Sequence, residues 1–522
     1  MRPGIATDRV VIVGAGLAAL YAALALAPRG VVVISPAPLG ESASSAWAQG
    51  GVAAAAGPGD SPADHAADTL RAGAGTADAE VAAAVAAEAM EHIAALAARG
   101  APFDRDAAGG FVLSREAAHG RPRVVRVKGD RAGAAIMATL IAALRETPSV
   151  QVLEGFAATG LETEGGRVVG LRLAAADGRS GEIAVRAPAV LLATGGVGGL
   201  YARTTNPGGI RGQGLGMAAR AGAVAADAEF VQFHPTAIDC AEDPLPLATE
   251  ALRGEGAWLV DREGRRIMAG IHPDGELAPR DVVARAVFAA GRAGLRPMLD
   301  TRPAIGAGIG AAFPTVAAAC RRLGIDPVAE PIPVAAAAHY HMGGLAVDAW
   351  GRTTLPGLWA VGEVSSTGLH GANRLASNGL LEALVYGRRA ARDIAAGLPS
   401  AVSGAELRPT PPPGETGADP GAVAALRRIM TERVGVLRSG PGLRAALAEI
   451  AALEAAHPAE AFRNMTAAAT LIAAAALARQ ESRGGHHRED FPMADPAQAR
   501  RSRMTLAEAL EIRRAALPEA AA

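Results

Sequence analysis

Apolar positions open the chain as an unbroken run, VVIV at residues 10–13, followed by GAG and a helical stretch to residue 27. A short apolar run bounded by glycine reads as a buried strand, and VVVIS at residues 31–35 supplies a second. The pattern predicts a βαβ opening with an amphipathic helix between two buried strands. More short apolar runs fall at 150–153, 168–173, 183–185 and 189–193, the last leading into TGGVGG. An apolar strand ending in a glycine cluster suits a sheet whose C-terminal edge faces a ligand. From about 230 to 338 the pattern turns irregular and rich in Pro, His and Arg, and 358–362 resumes a strand.

Beyond these strands the chain changes character. Residues 398–421, with prolines at 411–413, read as a linker, and 422–479 has the spacing of helices. A polar segment, ESRGGHHREDFP, precedes a last helix near 506–516. The expected fold class is α/β: a Rossmann-like dinucleotide domain of residues 1–227 and 340–400, interrupted by an α+β capping domain at 228–339. A linker at 401–421 and a C-terminal helical domain at 422–522 follow, and no regular internal repeat is present.

With 522 residues the chain can bury a large core, and a formal charge of −1 from 51 basic and 52 acidic residues gives no nucleic-acid footprint or polybasic membrane patch. Two cysteines, Cys240 and Cys320, cannot build a cluster or a disulfide framework and suit a reducing compartment. The first eight residues lack the apolar core of a signal peptide, and apolar runs of membrane length are broken by Gly, Pro or charge. A cytoplasmic protein is expected, with no metal.

Candidate chemistry begins at Gly14, Gly16 and Ala19, which fit the G-x-G-x-x-G/A fingerprint for a pyrophosphate at a helix N-terminus. Ser35 stands where such folds often carry the acid that binds a ribose. The second signal is TGLHGANRLASNGLLEALVYG, residues 367–387. It places Arg374 in a polar loop that runs into a helix starting near Ser377, with Ser377 and Asn378 as expected caps. Arg374 can offer a planar fork to a carboxylate, and Glu363 can accept from a sugar or ribityl hydroxyl.

Several motifs stand in a fixed order: AWAQGGVAAA at 46–55, VQFHPTA at 231–237, TEALRGEGA at 249–257, ELAPRDVVARA at 276–286, AHYHMGG at 338–344 and HGANRLASNGLLE at 370–382. Together, over nearly the whole chain, they resemble the flavoprotein superfamily of succinate dehydrogenase, fumarate reductase and L-aspartate oxidase. The resemblance implies FAD and a hydride passed between a four-carbon dicarboxylate and flavin N5. It implies flavin contacts at Gly14, Ala15, Gly16, Leu17, Ser35, Ser42, Ser44, Ser45, Gln49, Gly50, Gly51, Gln213, Glu363, Asn378, Gly379 and Leu380. For the substrate it implies His234, Thr249, His339 and Arg374, with Arg253 as a further cation, and Arg280 as the proton-transferring residue. Arginine is a poor base, with an ordinary pKa above about 12, so it needs a neighbouring acid or water; Asp281 and Glu276 are the adjacent carboxylates.

Two details separate the members. The histidine that links FAD covalently in respiratory members falls, five residues before Gln49, on Ser44, so noncovalent FAD is expected. LSREAAHGRPRVVRVKGDRAG at 113–133 resembles the matching stretch of L-aspartate oxidases, where Glu116 is expected to meet the α-ammonium of aspartate. The turn Gly212, Gln213, Gly214 and the glycine at 379 depart from the superfamily pattern. The implied activity is oxidation of L-aspartate to iminoaspartate with O2 or fumarate as acceptor, the first step of NAD synthesis, upstream of quinolinate synthase, in a monomer or homodimer. A soluble fumarate reductase and a non-catalytic flavin redox sensor are the alternatives.

Overall fold

The computed structural model describes residues 4–399 and 404–517; positions 400–403 at the expected linker start and both chain ends lie outside the described residues. A five-stranded parallel sheet runs in the order Leu358–Ala360, Val190–Leu192, Val10–Val13, Val31–Ser35, Val150–Glu154. Its central strands are buried, which is why they read as uninterrupted apolar runs. Helix Leu17–Leu26 packs against helices Asn378–Gly397 and Ala132–Arg145. It buries nine of its ten residues, so it is not the amphipathic helix expected: neighbours leave it no solvent face.

A second sheet, Gly4–Ala6, Ile183–Arg186, Arg167–Ala175, Phe156–Glu164, continues the same half. Strand Phe156–Glu164 escaped the apolar pattern because Gly160 interrupts it where the register slips against the neighbouring strand. The capping segment forms an antiparallel sheet of Val231–Ile238, Ile332–His341, Met298–Asp300 and Trp258–Val260. Helices Arg280–Arg292 and Pro314–Arg322 belong to its own apolar cluster around Val283, Val287, Phe313 and Val316.

Four C-terminal helices, Pro420–Arg433, Gly440–Ala456, Glu460–Ala478 and Leu506–Ala516, share one apolar cluster with residues of the parallel sheet. Strand Arg503–Met504 also pairs with Ala225–Ala226. The last helix starts as TLAE suggests, with Thr505 and Glu508 forming a reciprocal capping box. Residues 404–419 run without helix or strand and lie along the body: Leu407 is buried and exchanges hydrogen bonds with Gln151, and Gly181 N donates to Pro412 O at 2.8 Å. Among the described residues two helices, Ala79–Ala98 and Glu460–Ala478, are long and apolar enough to cross a membrane. The second is mostly buried, and the first buries a stripe of Ala82, Val85, Ala86, Ala89, Ile93 and Leu96.

Helix Gln213–Arg220 crosses Glu460–Ala478 so closely that a Cβ on Gly216 would overlap the carbonyl oxygen of Asn464. Gly216→Ala is expected to force the helices apart at a cost of about 1–3 kcal/mol. This is read as a lower thermal midpoint; an unchanged midpoint would mean the crossing is loose.

Candidate active site

Strand Val10–Val13 ends at Gly14, whose φ of 109° is left to glycine and whose Cβ, were there one, would overlap the carbonyl oxygen of Ala193. Helix Leu17–Leu26 therefore starts against the sheet edge with no side-chain cap from Gly16, its positive dipole end toward the cavity. Ser45 accepts from Leu17 N at 3.1 Å and sits 3.3 Å from where a Gly16 Cβ would stand. From this turn a cavity of about 1050 Å³ runs between the dinucleotide half and the cap. It is large enough for a flavin dinucleotide beside a small acid.

All residues expected at cofactor and substrate line this cavity except three, Ser35, Asn378 and Arg253, the last buried behind the wall with its guanidinium donating to Glu276 O at 2.6 Å. Ser35 is buried and donates to Ala37 O, so it is turned away from a ribose. Asn378 faces the other way, its amide held between Thr69 Oγ1 at 3.0 Å and His65 Nε2 at 2.8 Å. Nor do Ser377 and Asn378 cap their helix. Ser377 has φ 62° and its hydroxyl donates to Glu116 at 3.0 Å, so the helix start lacks a side-chain cap.

Flavin fits the donor set at the inner wall. Thr194 Oγ1 and Gln49 Oε1 are buried without a hydrogen-bond partner among the described residues. Glu363 accepts from His341 N at 2.9 Å, and burial pushes its carboxyl up to about 7. Ser44 donates to Asn206 at 3.0 Å, and Asn206 donates to His339 O at 2.9 Å, so the position that carries a covalent link elsewhere serves here as a brace. Gln213 begins its helix and accepts from Arg211 N at 3.1 Å. At position 379 a Cβ would stand 3.0 Å from the Tyr340 ring, so the glycine admits that close approach.

At the cap side, side chains from distant segments converge on one oxygen. Gln232 Oε1 accepts from Arg280 at 3.0 Å and from Arg374 at 3.1 Å. Its amide is fixed by donation to Asn373 Oδ1 at 3.0 Å and Arg374 O at 2.9 Å. The Arg374 guanidinium lies 4.3 Å over the Tyr340 ring; burial and Arg280 bring it down to about 10. Arg280 Nε donates to Glu250, which also accepts from Ala117 N at 2.7 Å. Burial opposes ionisation of Glu250, but Arg280 and Arg253 outweigh it and hold the carboxyl below its usual value. The carboxylates expected beside Arg280 are engaged elsewhere, Asp281 with Arg285 and Glu276 with Arg266.

His234 and His339 stack edgewise with centroids 5.0 Å apart, and burial drives both far below the usual histidine range, so both are neutral. Nδ1 of His234 accepts from Thr236 N at 3.2 Å, which leaves the proton on Nε2. His339 Nδ1 bonds Thr205 Oγ1 at 2.8 Å. Thr249 lines the same wall. Glu116 lines the same cavity, pushed up to about 7 by burial and the charge of Glu250, and a Gly50 Cβ would come within 2.7 Å of it. Gln232, Glu250, Tyr340 and Ser377 were missed as site residues. The signal for Gln232 was its place two residues before His234 on one strand, hence on the same side; Glu250 lay inside the TEALRGEGA motif.

The geometry is a dinucleotide cradle that opens onto a pocket lined by Arg280, Arg374 and the Glu116 carboxylate. Residues 9–380 match the FAD binding domain family, and residues 456–515 match the fumarate reductase flavoprotein C-terminal family. The chain is 55% identical to an L-aspartate oxidase of Caulobacter vibrioides over 94% of each chain. It is 43% identical to an L-aspartate oxidase of Streptomyces coelicolor over 95% of this chain and 91% of that one. Among solved structures it resembles the E. coli quinol fumarate reductase with a TM-score of 0.83 and 29% identity, over 95% of this chain and 93% of that one. A family model across most of the chain and relatives matched end to end carry the conclusion that it belongs to the L-aspartate oxidases, within the succinate dehydrogenase and fumarate reductase flavoproteins.

Proposed function

We propose that the chain oxidises L-aspartate to iminoaspartate with noncovalently held FAD, passing the electrons to O2, with peroxide formed, or to fumarate. The observation that carries this reading is the pocket wall: Arg280 and Arg374 share Gln232, with the Glu116 carboxylate lining the same cavity. Bound FAD supplies the acceptor for the hydride leaving the α-carbon. The Gly14 turn and the start of helix Leu17–Leu26 hold its pyrophosphate, and Glu363 accepts from its hydroxyls.

Arg374 and His339 hold one carboxylate of the substrate, and His234 and Thr249 the other. Being neutral, His234 donates through Nε2–H without adding charge. Glu116 attracts the α-ammonium, with Ser377 setting its orientation. As the hydride leaves the α-carbon the α-ammonium must also release a proton, and Arg280 beside the substrate, with the Glu250 carboxylate on its Nε, forms the pair that relays it away. Succinate lacks the ammonium and meets Glu116 as a like charge, which favours aspartate over succinate as the hydride donor. The product, an imino diacid, suits a role at the start of NAD synthesis before quinolinate synthase, in the cytoplasm.

Anaerobic addition of aspartate is expected to bleach the flavin spectrum; peroxide from succinate with none from aspartate would overturn the reading. Gly14→Ala is expected to yield protein without flavin absorbance, because the added methyl meets backbone; full flavin content would remove the turn from the cofactor site. Glu116→Gln is expected to raise KM for aspartate about 10- to 100-fold, the worth of one charge-assisted contact of ~1.5–3 kcal/mol, and to spare fumarate reduction. Because Glu116 titrates at about 7, kcat/KM for aspartate should rise with pH through that value as the carboxylate ionises. Both histidines are already neutral there, so the rise should flatten in Glu116→Gln; an identical profile in the variant would take Glu116 out of the step.

A further inference from the structure

The polar C-terminal segment, residues 481–490, stays outside the cavity yet reaches the back of every segment that supplies the arginine cluster. Gly485 N donates to Ala372 O at 2.7 Å, two residues before Arg374. A Cβ on Gly484, where φ is 53°, would overlap that same carbonyl oxygen. On the other side, a Cβ on Gly485 would stand 2.6 Å from Val231 O, next to Gln232. Arg285, on the helix that Arg280 begins, donates to Gly484 O at 3.1 Å and is braced by Asp281 at 2.9 Å.

The glycines are themselves clamped in place. Arg483 and His486 exchange backbone hydrogen bonds of 2.7 and 3.0 Å across them. His486 is held neutral by burial, accepts at Nδ1 from Arg438 at 2.8 Å and donates from Nε2 to Arg479 O at 3.3 Å. Arg438 also donates to Glu229 O at 2.7 Å, and Arg479 and Arg483 both pair with the buried Glu481. These buried contacts tie the turn that carries the glycines to neighbours on several elements and hold it in place.

We propose that Gly484 and Gly485 are positioning residues for the substrate-binding cluster: bare backbone, wedged between the strand of Gln232 and the loop of Arg374 and pinned to the helix of Arg280, sets the spacing of the two guanidinium groups. This rests on the reading of that cluster as a dicarboxylate site. A methyl at 485 faces carbonyl backbone rather than a flexible side chain, so the strand and the loop must part. Misplacement of clamping groups by 1 Å costs about 100-fold in rate.

The test uses the FAD-loaded, full-length protein as wild type, Gly485→Ala and Arg285→Ala, the last removing the pin without adding an atom. Flavin content, thermal midpoint, kcat and KM for aspartate, and the Kd of succinate from its shift of the flavin spectrum are measured for each. Gly485→Ala is expected to keep its flavin, to weaken succinate about tenfold and to lose about 10- to 100-fold in aspartate kcat/KM, with Arg285→Ala moving the same way by severalfold. Wild-type succinate binding and kinetics in Gly485→Ala would overturn the proposal. Loss of flavin together with succinate binding in both variants would also overturn it, assigning the segment to folding alone. If the wild type reduces fumarate but leaves aspartate untouched, the aspartate reading fails while succinate binding still judges the glycines.

Discussion

The architecture depends on keeping two buried guanidinium groups on one amide oxygen. The Arg280 and Arg374 nitrogens that share Gln232 Oε1 are separated by roughly 6 Å at most, a repulsion of about 3 kcal/mol at an effective dielectric near 20. A third cation, Arg253, is fully buried close by, and Glu250 is the carboxylate that touches both Arg280 and Arg253. Buried charges need partners, and these have fewer than they need. The pocket is thus charged for an incoming dianion before any substrate arrives, and the neutral state of His234 and His339 limits the excess.

Such a cluster cannot be held by one element, because a single helix or strand spaces its side chains in only one direction. The strand of Gln232, the loop of Arg374 and the helix of Arg280 come from two halves of the molecule. The parallel sheet and its Gly14 turn fix the flavin side; the cap brings two of the arginine-bearing or arginine-holding segments over it. The C-terminal helices join the sheet in one apolar cluster, which gives the segment after them a fixed place from which to reach the site. Core packing and site geometry are therefore one constraint met at two depths.

What could be read from the chain follows from how local each cause is. The Gly14 turn, the buried strands at 10–13 and 31–35 and the last helix near 506–516 rest on neighbours in sequence, and all are present. Leu17–Leu26 lost its expected polar face because distant helices cover it, and Phe156–Glu164 was hidden by a glycine at a slip in register. In the site, residue types told which groups could bind an acid or a flavin, but partners lay far off: Arg280 finds Glu250 across 30 residues and Gln232 across 48. Asn378 lies off the cavity for the same reason, its amide held by the distant Thr69 and His65, whereas Ser35 is engaged locally by Ala37 O.

Glu116 shows how the surplus of positive charge and the choice of substrate are linked. A carboxylate at the same pocket partly offsets the arginines, yet burial and Glu250 keep it near the point where it ionises only if something rewards it. An α-ammonium supplies that reward, and a ligand with two carboxylates and no amine does not. On the proposed reading the arginines select for a dicarboxylate in general, while Glu116, poised between protonation states as Glu363 is on the flavin side, selects the amino acid among them. Ser377, held in a left-handed backbone conformation at φ 62°, donates to Glu116 and on this reading fixes the carboxylate that makes the selection.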